Sequence, residues 1–194
     1  MVALRKPSPD MTVAEFLEWD PGDRSGALWQ LRDGEPEMMA PASDPHGMIQ
    51  NELGRLIANH LADRNSPCRV GTAPGVVPRV RSSQNLLVPD LGVTCAPPVG
   101  GSTMLDPVVL IEILSPSNAR KTRANVWAYT SIPSVAEIII VRSTSIAAEA
   151  LRRQSDGSWP AEPDHIGAEE ELILESIGFR IPLRAAYRTS GIVA

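Results

Sequence analysis

The chain is poor in the residue types that mark several large functional classes. Aromatic residues make up only 4% of its 194 positions, too few for the stacking platforms that hold single-stranded nucleic acid. Positive charge is not in excess. Eighteen Lys and Arg stand against 23 Asp and Glu, a net charge of −5, which argues against a uniformly basic nucleic-acid binder but leaves room for a local basic patch. Three unclustered histidines and two cysteines without metal-like spacing, Cys68 and Cys95, give no pattern for zinc. With no secretory leader in the sequence, these cysteines read as two reduced thiols in a cytoplasmic protein. No apolar run approaches the roughly 18 residues of a membrane span. What is left is 43% hydrophobic and 21% charged, an ordinary globular composition. It suits one domain over residues 11–187, with a polar, disordered tail at 1–10 and a short one at 188–194.

Against that ordinary background, two charges sit in unusual places. Asp90 lies in VPDLGVTC and Glu112 in PVVLIEILSPS, both otherwise apolar and strand-like. An ionised carboxylate in such a run is costly unless a cation or hydrogen bonds compensate it. Two on consecutive strands suggest a shared compensator, and a divalent ion such as Mg²⁺, or Mn²⁺, takes one or two carboxylates plus waters. Such an ion could polarise a phosphoryl oxygen and lower the pKa of a bound water.

Local patterns place the elements around this pair. Thr12 and Glu15 form a capping-box pattern that opens a helix over Met11–Asp20. Asp33-Gly34 favours a tight hairpin between Ala27–Arg32 and Glu37–Ala40. Ser43 or Asp44 caps a second helix, in which Ile49, Leu53, Leu56, Ile57 and Leu61 recur at helical spacing. Val70, Val76–Val80 and Leu91–Cys95 read as short strands, and Val108–Leu114 as a strand covered on both faces. A helix over Ala119–Thr130 then leads to a strand at Ala136–Val141, a βαβ unit. Ile146–Arg153 and Glu170–Leu174 are further strands, with a turn at Asp156-Gly157, a mobile excursion over Ser155–Glu170, and a short last helix at Pro182–Ala186. The helix after Glu112 must return across the sheet. Glu112 lies about three residues, roughly 10 Å, from its strand end. About seven residues of helix cover the same distance, so Asn125, not Lys121, should lie level with it.

VPDLGVT, VVLIEILSPS, a helix ending in WAY, then IPSVAEIIIV resemble a bacterial family of endonuclease-like proteins in the PD-(D/E)XK nuclease superfamily, long known as a domain of unknown function. LWQLRDGEPEMMAPAS followed by His46 is similar to the family's hairpin-then-histidine opening. The resemblance spans roughly Met11 to Ala186. It implies an α/β fold with a restriction-endonuclease-like core: a central mixed β-sheet flanked by helices, preceded by an N-terminal helix and β-hairpin. It implies metal-dependent hydrolysis of DNA phosphodiester bonds, with Mg²⁺ or Mn²⁺ as cofactor and DNA as partner, and, by analogy, a homodimer that cuts both strands. Carried over, Asp90 and Glu112 are the acidic metal ligands and the Ile113 carbonyl a further one. The superfamily lysine normally stands two residues after the second acid, where this chain has Leu114. In this family a lysine on the next helix, four residues before a tyrosine, is thought to substitute. With Tyr129 as that tyrosine, the position holds neutral Asn125.

The expected site therefore comprises Asp90, Glu112 and Ile113 for the metal, with Asn125 and Lys121 standing in for the lysine. His46 reads either as a helix-start histidine bonded to backbone or as an edge residue facing phosphate or a metal-bound water. Arg123 reads as a solvated charge or a DNA-backbone contact. Glu52 and Glu35 read as solvated, with a lesser claim to a metal or water role. Trp127 and Tyr129 read as packing residues, and Ser115 and Ser117 as a capping turn. The rival reading is a degenerate nuclease fold kept as a nucleic-acid-binding or protein-interaction module, which the absent lysine and acidic charge favour. A weaker one is a hydrolase of another phosphoester.

Overall fold

The computed structural model describes residues 10–22, 26–116 and 118–193. The expected N-terminal tail, apart from Asp10, and Ser117 of the expected capping turn lie outside them, as does Ala194. Helix α1 (Val13–Glu18) is held by a full capping box: Thr12 Oγ1 accepts from the Glu15 N–H, and Glu15 Oε2 accepts from the Thr12 N–H at 2.7 Å. Strands β1 (Trp29–Arg32) and β2 (Glu35–Met38) pair antiparallel around Asp33-Gly34. Those two residues have φ of 49° and 83°, the positive pair that a type I′ hairpin turn requires. The hairpin does not stand alone: Leu31 and Leu86 exchange backbone hydrogen bonds at 2.8 and 3.0 Å, and the Gly34 N–H donates to the Gln84 carbonyl.

The central sheet has six strands in the order β3 (Arg69–Thr72), β4 (Leu91–Thr94), β5 (Pro107–Leu114), β6 (Glu137–Arg142), β7 (Ala148–Arg152), β8 (Asp164–Ile166). Only β5 and β6 run parallel, joined by α3 (Ala119–Tyr129), so the sheet is mixed. Alternation along β5 divides the core in two. Val109, Ile111 and Ile113 pack with Ile49, Leu53, Ile57 and Leu61 of α2 (Asp44–Asp63). Leu110 and Leu114 pack on the opposite face with Val126 and Tyr129 of α3. Glu112 shares that second face. A separate hairpin, β9 (Glu171–Leu174) with β10 (Phe179–Pro182), closes the first layer through Leu172, Leu174 and Phe179. No helix among the described residues is long and apolar enough to cross a membrane.

The structure departs from the sequence reading in several places. Val76–Val80 is not a strand: Val76 makes an isolated bridge to Leu87, and residues 80–84 are turn. Pro78 lacks the N–H a ladder needs, and Arg81 has a φ of 48°. The Ser155–Glu170 excursion contains β8, which covers the edge of β7, while Asp156-Gly157 turns the chain locally between Gln154 and Ser158. The last helix is a 3₁₀ turn over Leu183–Tyr187, preceded by the unanticipated strand β10.

Cys68 and Cys95 are not free thiols but a disulfide. The cause is register: Arg69 pairs with Thr94, so the next step outward sets the two cysteines opposite each other across β3 and β4. The bridge closes a sequence separation of 27 residues. Chain-entropy arguments make such a loop worth roughly 3–4 kcal/mol. Cys68→Ser/Cys95→Ser is therefore expected to unfold at a clearly lower temperature than the oxidised protein, and calorimetry with and without reductant checks it. Equal melting temperatures would remove the bridge from the account of stability.

Candidate functional site

Asp90 precedes β4, and the antiparallel pairing of Leu91 with Ile111 sets it directly opposite Glu112. Both side chains thus emerge on one face of adjacent strands, where Cβ atoms are about 5 Å apart and like charges oppose each other. Asp90 is fixed from three sides. Its Oδ2 accepts from the Ile113 N–H at 2.6 Å, and His46 Nε2 lies 2.8 Å from its Oδ1. Gln50, one turn after His46 on α2, donates to the Asp90 carbonyl at 2.8 Å.

Glu112 is only 5% exposed. Its Oε1 accepts from the Tyr129 hydroxyl at 2.7 Å and from Asn125 Nδ2 at 3.4 Å. Burial, and then the negative charge of Asp90, push this carboxyl up to about 8, against the hydrogen bonds from Tyr129 and Asn125 and the field of Arg32. The same burial and the neighbouring Glu112 raise Tyr129 well above the ordinary phenol range, so its hydroxyl stays a donor.

A third element reaches the pair from the N-terminal hairpin. Arg32 Nη2 donates to Asn125 Oδ1 at 2.6 Å, and Arg32 Nε to Glu37 Oε2 at 3.3 Å. Gln30 Nε2 also donates to Glu37 Oε2 at 3.1 Å. Burial raises the Glu37 carboxyl, but Gln30, Arg32 and Lys121 together hold it below the usual range. A continuous polar chain therefore runs from Glu112 through Asn125 and Arg32 to Glu37.

The structure thus brings Asp90, Glu112, Ile113, Asn125 and His46 together. The Ile113 carbonyl accepts from Asn118 Nδ2 at 3.3 Å, while Asn118 Oδ1 accepts from the Ser115 N–H. Other expected residues stand elsewhere. Lys121 Nζ lies 3.6 Å from Glu37 Oε2 and addresses the hairpin, not Glu112. Arg123 forms a two-pronged pair with Glu149 of β7 at 2.6 and 2.8 Å. Glu52 accepts from Arg55 and Arg188, whose hydrogen bonds take its carboxyl down to about 2; it ties the chain's C-terminal end to α2. Glu35 is exposed on the hairpin. Sequence reasoning missed Arg32, Gln50 and the contact of the Tyr129 hydroxyl. For Arg32 no spacing signal exists, because its partner Asn125 is 93 residues away.

The donor set can be tested against a divalent cation. Among the described residues, no three His, Cys, Asp or Glu side chains form a metal-holding group. Two opposed carboxylates match instead a hard, oxygen-seeking ion that keeps several of its waters. Each carboxylate has about four lone-pair sites, and the bonds described use two on Asp90 and two on Glu112. A cation between them would offset both the burial cost and the repulsion from Asp90 that raise the Glu112 carboxyl. The residues present fit such an ion.

Known proteins share this chain's sequence pattern and fold. The profile of the Uma2 family, described as "Putative restriction endonuclease", matches residues 13–184. The chain is 29% identical over 185 residues to the "Uncharacterized protein slr1290" of Synechocystis sp., covering 94% of each chain. It is similar in fold to a crystal structure titled "a putative nuclease belonging to DUF820" from Anabaena variabilis, with a TM-score of 0.70, 15% identity, and coverage of 92% of this chain and 98% of that one.

Proposed function

We propose that this chain, which belongs to the Uma2 family of restriction-endonuclease-like proteins, hydrolyses DNA phosphodiester bonds with a divalent cation, Mg²⁺ or Mn²⁺, held by Asp90 and Glu112. The observation that carries the reading is the opposed pair itself: a buried glutamate set across from an aspartate and pushed up to about 8. Opposed carboxylates of this kind are where pKa values are shifted for function. When bound, the cation supplies charge neutralisation at the phosphate and a more acidic water.

The protein's own groups hold that arrangement. His46 and the Ile113 N–H fix the two oxygens of Asp90, and Tyr129 with Asn125 orient Glu112. In the reaction a water oxygen forms a new bond to phosphorus and gives up a proton, while the bond from phosphorus to the leaving sugar oxygen breaks and that oxygen takes up a proton and departs as a hydroxyl. A homodimer, with one site facing each strand, belongs to the same proposal.

The test is conversion of supercoiled plasmid in Mg²⁺ or Mn²⁺ by the wild type, Asp90→Ala and Glu112→Ala. Cutting by the wild type alone supports the reading; intact plasmid with all three proteins defeats it. A second reading, DNA binding without cleavage, is favoured by one feature. The helix residue beside Glu112 is the neutral Asn125, which can orient but brings no charge. Retention of DNA on the wild type without cutting would support that alternative.

A further inference from the structure

We propose that Arg32 is the cationic substrate-binding residue of this site, contacting non-bridging oxygens of the phosphate group from the hairpin while it holds Asn125. This rests on the phosphodiester reading above for the identity of the substrate, and on geometry for the residue. The side chains that donate to Glu112 are Tyr129 and Asn125, both neutral. One bond beyond them stands a guanidinium: Arg32 Nη2 donates to Asn125 Oδ1 at 2.6 Å. Lys121 is a poorer candidate, since its ammonium is 3.6 Å from Glu37 and its side chain is 60% exposed.

The guanidinium is held in advance of any ligand. Its Nε donates to Glu37. The strand that carries it is pinned by the Leu31–Leu86 backbone pair and by the bond from the Asp33 N–H to Asn85 Oδ1 at 2.7 Å. A donor fixed before the reaction requires no reorganisation when charge develops. The group is also not exhausted. Arginine has five N–H donors, and the bonds to Asn125 and Glu37 occupy two of them. The side chain is 20% exposed and borders a cleft of about 280 Å³ together with Asp33, Leu87 and Trp127. Unused planar donors on a guanidinium that borders a solvent-open cleft and is joined to Glu112 through Asn125 are suited to a phosphate, which arginine grips through two parallel bonds.

Two measurements on the full chain decide this. The first is single-turnover cleavage of a DNA duplex in Mg²⁺ by the wild type, Arg32→Met and Arg32→Lys. The second is binding of the same duplex in Ca²⁺, which supports binding without turnover, across a salt series. Arg32→Met is expected to cleave about 10²–10³-fold more slowly, as when one fixed donor to a transition state is removed. Its slope of log affinity against log salt should shrink by about one unit, the signature of one lost phosphate contact. Arg32→Lys keeps the charge and is expected to keep the wild-type slope with part of the rate, which separates a lost contact from a folding defect. If Arg32→Met cleaves like the wild type, or keeps its salt slope, the proposal is overturned while the nuclease reading stands. If the wild type binds DNA but never cuts, the nuclease reading fails, and the salt slope alone decides for or against Arg32. A wild type that does not bind the duplex overturns both.

Discussion

Glu112→Gln is expected to make the metal-free protein more stable at pH 8 while abolishing DNA cleavage. The folded Glu112 carboxyl holds its proton up to about 8, whereas an ordinary glutamate releases it near 4.5. The folded state therefore binds more protons than the unfolded state between those values. The associated stability is fully present below about pH 4.5 and is lost as pH rises through about 8. Each tenfold difference in proton affinity between the two states is worth about 1.4 kcal/mol, so the loss amounts to several kcal/mol. Glutamine is close to isosteric, cannot ionise, and still offers an oxygen to the Tyr129 hydroxyl. Urea unfolding in chelator between pH 5 and 9 checks this. The wild type should fall toward the alkaline end and the variant should not. Groups remote from Glu112 titrate alike in both proteins and cancel in the difference. Adding Mn²⁺ at pH 8 should restore the wild type and leave the variant unmoved, because only the wild type gains a ligand of the folded state. Parallel pH profiles for the two proteins would show that Glu112 does not carry this charge conflict.

Asp90→Asn is expected to slow cleavage by about 10³-fold or more. A metal ion contributes several kcal/mol to stabilising the transition state of such a reaction, and each 1.36 kcal/mol is a factor of about ten. The substitution removes one of two charges that would retain the ion. It also disturbs the surroundings: one carboxylate oxygen now accepts from the Ile113 N–H and the other faces His46 Nε2, and an amide can offer an acceptor to only one of them. Its amino group would either meet the Ile113 N–H, a fixed donor, or require His46 to present an unprotonated Nε2. Single-turnover nicking of plasmid with saturating Mn²⁺ measures the effect. A rate within about threefold of the wild type would take Asp90 out of the metal site.

These predictions rest on a pair that was legible in one dimension because its chemistry conflicts with its surroundings. Asp90 and Glu112 are charges in runs that otherwise belong to a core, and strand alternation alone put Glu112 on the face of Leu110 and Leu114. The rise per residue of strand and helix put Asn125 level with Glu112, and that is where its amide lies. The capping box of α1, the Asp33-Gly34 turn and the apolar stripe of α2 were legible for the same reason, since each is decided by residues within one or two turns of chain. What could not be read depends on partners distant in sequence. Asp164–Ile166 is three residues long and becomes a strand only by covering the edge of β7. Phe179–Pro182 has two apolar residues before its proline, too short a pattern to stand out. The disulfide follows from the β3–β4 register, which no cysteine spacing reveals. Arg32 is the most consequential of these, because a hairpin arginine looks solvated until the hairpin is docked against α3. The lysine that the family resemblance called for is absent, and the positive charge reaches the site from another element.

Whether Asp90 and Glu112 hold a divalent ion is the point on which the functional account turns. Titration of Mn²⁺ into the protein at pH 8, with free ion followed by electron paramagnetic resonance, tests it without requiring any DNA. The account predicts one ion bound per wild-type chain and none at the same concentrations in Asp90→Ala or Glu112→Ala. Equal binding by all three proteins, or no binding by the wild type, would contradict it.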